Sequence, residues 1–156
     1  MSPMQSLSKL DYVKQVKIIS HNYNRIFGKQ LYRENNSDLE IFYEVWNSHF
    51  AIVSHGTEIN PLFNFANKKA LEIFELNYLD FIGLPSIQTA DALAAEDRIM
   101  LLNDVNRHGF VKNYSGIRVS AKGKKFQICD AVIFNLFDFE YNYHGQAAII
   151  PSVKDI

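Results

Sequence analysis

His55 and Glu58 stand three residues apart in HGTEINPLFNFAN, with Asn60, Asn64 and Asn67 behind them, and this is the stretch best equipped for chemistry. A His–Glu pair at that spacing could orient an imidazole for acid–base work. The same residues are also ordinary turn chemistry, in which Asn64 and Asn67 bond local backbone, and that reading is favoured. The other histidines, His21, His49, His108 and His144, fall on different predicted elements. His49 and His55 bracket one short strand, and six residues of extended chain hold them roughly 20 Å apart, so no metal site is expected. The single cysteine, Cys129, excludes an internal disulfide and a Cys-based metal cage. It sits among apolar residues of a predicted strand and reads as a small buried hydrophobe. There is no phosphate-binding glycine loop, no Gly-x-Ser-x-Gly and no His-Glu-x-x-His. No catalytic residue is assigned, and an enzyme is not expected.

The elements that must position these residues follow from periodicity. Val16, Ile19, Tyr23, Ile26 and Phe27 share one face of a helix predicted from Leu7 to about Leu31, after a frayed start over residues 1–6. The polar run RENNSD is the one plausible interior linker, and Asp38 is the expected N-cap of a second helix carrying Ile41, Phe42, Val45 and Trp46. This divides the chain into residues 1–38, helix and connector, and a core over 39–156, within one structural domain. FAIVS, Phe50 to Ser54, reads as a first strand. Phe63 and Phe65 alternate in a second strand that runs into a helix capped by Asn67; Asn77 opens a further turn, closed by Gly83 and Pro85. TADALAAED suggests a helix start, with Ile99, Leu102 and Val105 as its core stripe and Gly109 as its left-handed cap.

Three strands complete the chain. In Tyr114–Ser120 the alternation turns Ile117 and Val119 inward and Arg118 outward. In Lys125–Phe137 it places Phe126, Ile128, Asp130, Val132 and Phe134 on one face, with Gln127, Cys129, Ala131, Ile133 and Asn135 on the other. Gln146 to Val153 is the last strand. An inward Asp130 among apolar neighbours requires a partner, for which Tyr114 and Arg118 are candidates.

LFNFANKKALEIFELNYLDFIGLPS, Leu62 to Ser86, resembles the strand–helix–short-helix core signature of PAS domains. HGTEINPLFNFANKKALEIFELNYLDFIGLPS is more closely similar to the MEKHLA domain, a PAS-related family found as small free-standing bacterial proteins and at the C-terminus of plant class III homeodomain–leucine zipper factors. The similarity extends through RHGFVKNYSGIRVSAKGKKFQI and AVIFNLFDFEYNYHGQAA, and back to HNYNRIFGKQLY. It implies an α+β fold of the PAS type: a five-stranded antiparallel sheet, helices on one face, and N-terminal flanking helices over the other. The first two strands would lie beside the last. Light-sensing PAS relatives carry a Gly-x-Asn-Cys-Arg run where this chain has LPSIQTADAL. Asn135 and Gln146 could contact a ligand, but photoactive flavin is not expected. Haem relatives use a histidine on the long helix; His108 lies too near that helix's end and suits its negative dipole instead.

Composition limits the partners. The 156 residues are 47% apolar with a net charge of −1, and the one basic run, Lys122, Lys124 and Lys125 around Gly123, reads as a solvated hairpin tip. Nucleic acid is therefore not an expected partner. No stretch reaches the length of a spanning helix and the N-terminus lacks an apolar leader, so a soluble cytoplasmic protein is expected, without membrane contact. What remains is a PAS-like regulatory module, needing no cofactor, that binds a small apolar or amphipathic ligand, a protein partner, or both. The inward candidates are Phe63, Phe65, Phe74, Phe81, Leu102, Ile117, Phe126, Ile128, Asp130 and Phe134, with His55, Glu58, Asn64 and Asn67 as the polar cluster. The alternatives are a constitutive module with a filled core that dimerises through its N-terminal helix, and a small enzyme on a cone-like α+β fold using His55 with Glu58, or Asp130.

Overall fold

The computed structural model describes residues 9–90 and 95–156, the side chains of residues 95–99 excepted. The frayed start expected over residues 1–6, the helix start at Leu7, the helix start within TADALAAED and the place of Ile99 lie outside the described residues. The first helix, α1 (Lys9–Phe27), stops at Gly28, whose φ of +69° is left-handed. Its stripe of Tyr12, Val13, Val16, Ile19 and Tyr23 is buried. Helix α2 (Asp38–Trp46) is capped by Ser37 and not by Asp38. Ser37 Oγ accepts from the Glu40 amide at 3.3 Å while the Glu40 carboxylate accepts from the Ser37 amide at 2.9 Å, a reciprocal capping box. Asp38 instead pairs with Lys17 of α1 at 3.0 Å.

Strands β1 (Ala51–His55) and β2 (Phe63–Ala66) lead into α3 (Lys68–Phe74) and α4 (Tyr78–Phe81), capped by Asn67 and Asn77 as their types predict. A 3-10 turn (Ser86–Thr89) and α5 (Ala95–His108) follow, then β3 (Phe110–Val119), β4 (Lys125–Phe137), β5 (Tyr143–Ile150) and β6 (Ser152–Asp155). The sheet order is β2-β1-β5-β4-β3, antiparallel throughout, so the first two strands do lie beside the last. β6 also pairs with β4, Cys129 opposite Ser152, on the edge where β5 pairs Val132 with Ile149. Pro151, which has no amide to donate, divides one long strand into these two.

The layers are those of the PAS type. α1 packs on one face, where Tyr23 meets Phe134 with ring centroids 5.9 Å apart and Tyr12 meets Phe65 at 4.5 Å. α3 and α5 cover the other, where Phe74 meets Phe126 at 5.5 Å and Leu101 and Val105 pack on Ile133.

Three irregularities decide which side chains face which layer. Asp130 in β4 and Asn113 in β3 both have φ of 56°, beside shifts in the β3–β4 register at Tyr114. Each marks an extra residue that reverses the alternation beyond it. The β1–β2 register shifts as well, between the Ser54–Phe65 and His55–Phe63 pairs. Phe63 and Phe65 consequently point to opposite faces.

Candidate ligand pocket

β1, β5, β4 and β3 turn one face toward α3, the 3-10 turn and α5, and a cavity of about 100 Å³ remains between them. Its walls are largely apolar, with Phe63, Phe74, Leu101, Ile128, Ile133 and Ile150 among them. Space survives because the centre of the sheet carries a small residue there. Ala148 of β5 stands between Val53 of β1 and Ile133 of β4, where a longer side chain would fill the hollow.

His55, Ser86, Thr89, Arg118 and Gln146 bring polar groups to this wall. Gln146 Nε2 donates to Asn135 Oδ1 at 3.0 Å, and Asn135 Nδ2 donates to the Val105 carbonyl at 3.3 Å, a relay that ties β5, β4 and α5 together. Thr89 Oγ1 donates to the Ser86 carbonyl at 2.8 Å and closes the 3-10 turn. Arg118 is half-buried; Nη1 donates to the Ile117 carbonyl at 2.9 Å and Nη2 to the Tyr114 hydroxyl at 3.3 Å, with the guanidinium 5.7 Å from the Tyr114 ring centre. Two glycines make this geometry feasible. A Cβ at Gly116 would run into the Tyr114 hydroxyl, and one at Gly145 (φ +108°) would collide with the His55 carbonyl.

The sequence profile of the MEKHLA domain family matches residues 13–154. The chain belongs to the MEKHLA domain family. Solved structures similar to this MEKHLA domain include PAS domains and a light-oxygen-voltage domain. A PAS domain of a protein from Colwellia psychrerythraea matches with a TM-score of 0.62 at 16% identity, over 77% of this chain and 98% of that one. A PAS domain from a two-component sensor histidine kinase matches at 0.56 and 15% identity, over 73% and 91% of the two chains. A light-oxygen-voltage domain solved with a flavin analogue matches at 0.56 and 13% identity, over 74% and 84%. No curated protein sequence matches. At these identities the likeness is one of fold.

Of the residues expected to face a ligand in this MEKHLA domain, Phe63, Phe74, Leu102 and Ile128 line the cavity. Phe81 stacks behind Phe63 at 4.3 Å and Phe126 abuts Phe74, so both support the wall without lining it. Phe65 and Phe134 lie on the opposite face, against Tyr12 and Tyr23 of α1. Asp130 does not face inward: it sits exposed at its left-handed bulge and pairs with neither Tyr114 nor Arg118, which bond each other. Ile117 and Arg118 exchange their expected roles, Arg118 opposite Phe126 on the cavity face and Ile117 opposite Gln127 on the other. Cys129 is half-buried, its Sγ 3.6 Å from the Gln127 carbonyl.

Of the polar cluster only His55 is in the cavity lining, with Glu58 still within electrostatic reach of it. His55 reaches the cavity, with Nδ1 3.1 Å from the Gly56 carbonyl. Glu58 accepts from the Leu62 amide at 3.1 Å, and backbone hydrogen bonds, that one first, hold its carboxyl below the usual range. Asn64 accepts from Ser54 Oγ at 2.5 Å. Asn67 is a buried brace. The residues overlooked in the sequence include Ser86, Thr89, Leu101, Ile133, Ala148 and above all Arg118. One signal was there: Asn113 and Asp130 are of the types that tolerate the left-handed region, where a bulge reverses faces.

Proposed function

We propose that this MEKHLA domain is a regulatory module that binds a small amphipathic ligand between its sheet and α5. The observation that carries the reading is a cavity with apolar walls and polar side chains brought to it, on a fold shared with PAS domains. Its volume of about 100 Å³ suits a compact molecule, well short of the ~300 Å³ at the small end of ordinary cofactor pockets. A ligand there touches β1, β3, β4, β5 and α5 at once. Occupancy then biases how the surrounding helices dock, a population shift read by a separate partner. We place it in a bacterial cytoplasm, in keeping with its composition; among the described residues no helix is long and apolar enough to cross a membrane.

The enzyme reading is weakened because Glu58 serves its own turn. Dimerisation through α1 is weakened because the apolar stripe of that helix is spent on its own sheet. Mass spectrometry of freshly purified protein under native and denaturing conditions tests the proposal. An added mass that disappears on denaturation is expected. A bare chain that takes up nothing from a small-molecule extract of its host overturns the reading, and a bare dimer shifts it to the interaction module.

A further inference from the structure

We infer that the ligand of this pocket carries a carboxylate, held by Arg118, on a short apolar chain; this rests on the ligand-binding reading above. Arg118 lines the cavity, yet among the described residues no carboxylate comes within ion-pair distance of it. Two of its N–H groups are used, one on the Ile117 carbonyl and one on the Tyr114 hydroxyl. A guanidinium presents five in a planar fork, so the remaining donors are available to a flat two-oxygen anion. An anionic ligand would give this half-buried cation a counter-charge that the described residues do not supply.

Tyr114 strengthens the assignment. Its hydroxyl accepts from Arg118 Nη2 at 3.3 Å and so holds the guanidinium at the cavity wall, with Tyr114 itself packed behind that wall against Leu101, Val105 and Ile133. Gly116 is the residue that lets the ring lie in this position, because any Cβ there would strike the hydroxyl. No acidic side chain appears among the described residues of the lining. The apolar part of the wall, including Phe63, Leu101, Ile128, Ile133 and Ala148, suits a hydrocarbon tail. Size then limits the tail. An apolar cavity of ~150 Å³ admits benzene, and this one is about 100 Å³. A straight acid of about three to five carbons fits that space.

The test is calorimetric titration of the full chain with sodium butyrate and, separately, with neutral butyramide, repeated on Arg118→Gln. Butyrate is expected to saturate one site on the wild type and to bind at least tenfold more tightly than butyramide. Arg118→Gln should weaken butyrate by about 10- to 100-fold, the scale of a lost charged hydrogen-bonded pair, and leave butyramide unchanged. The wild-type comparison needs no variant, so it stands even if Arg118→Gln misfolds. Equal binding of the two compounds overturns the anion assignment while leaving a ligand pocket. Failure of every straight-chain acid from acetate to hexanoate overturns it too, and a retained mass in the native spectrum would still uphold the sensor reading.

Discussion

Asn67 shows how much one side chain can hold. It is fully buried, and its Oδ1 accepts from the amides of Ile52 (3.0 Å) and Ala70 (3.2 Å). Its Nδ2 donates to the carbonyls of Val45 (3.1 Å) and Phe50 (2.8 Å), which exhausts its capacity and ties α2, β1 and α3 together. Asn67→Ala strands several of these groups at ~1–3 kcal/mol each, so urea denaturation should show a loss of roughly 3 kcal/mol or more. The cap was legible in the sequence because the apolar period changes from two to helical at Asn67. The brace was not, since Val45, Phe50 and Ile52 reach it only through the fold. Tyrosines make a second residue-scale prediction. Burial pushes Tyr78 up to about 12, and burial, helped by nearby Tyr78, raises Tyr12 well above its ordinary value. The fold therefore favours both phenols neutral, while the unfolded chain ionises them near pH 10. Their contribution is complete below about pH 10 and is lost as pH climbs toward 12. The urea midpoint should fall between pH 9 and 11, and fall less in Tyr78→Phe; an equal fall in both would contradict this.

At the scale of elements, periodicity located β4 at Lys125–Phe137 and assigned its faces correctly only as far as Ile128. Alternation assumes an unbroken pleat, and a single left-handed residue defeats it. Asp130 at φ 56° is that residue, and Phe134 passes to the α1 side as a result. Arg118 was hidden for a different reason: the alternation over Tyr114–Ser120 is unbroken from Gly116 to Val119, and the apolar pair Ile117 and Val119 reads as the inward one. Asp130→Val separates the two arrangements. On an inward face it would exchange a buried carboxylate for a good strand former and stabilise the fold. At a left-handed bulge a β-branched side chain is strained. We expect it to cost about 1–2 kcal/mol by denaturant titration, with ligand binding unchanged. A stabilised variant would restore the inward placement.

For the whole molecule, the layer order was legible because the family resemblance and the helix stripe agreed, while the cavity depended on which side chains share a face. The division of the chain at residue 38 remains a proposal about cooperativity: we expect residues 1–38 to be inseparable from the rest. Tyr12, Val13, Val16, Ile19 and Tyr23 of α1 are buried in the same apolar cluster as β1, β4 and β5. At ~1.5–3 kcal/mol for each such side chain their burial rivals the ~5–15 kcal/mol net stability of an ordinary domain. Removing residues 1–37 should therefore abolish the cooperative thermal transition, and a folded, sharply melting 38–156 fragment would refute this. The central claim is that the hollow beside Ala148 is a binding site and not a packing remnant. Its most direct test is the native mass spectrum of the wild type beside Ala148→Leu, which fills the hollow from the middle of the sheet. The account predicts a retained small molecule on the wild type and none on a folded Ala148→Leu; the same added mass on both proteins, or none on either, would contradict it.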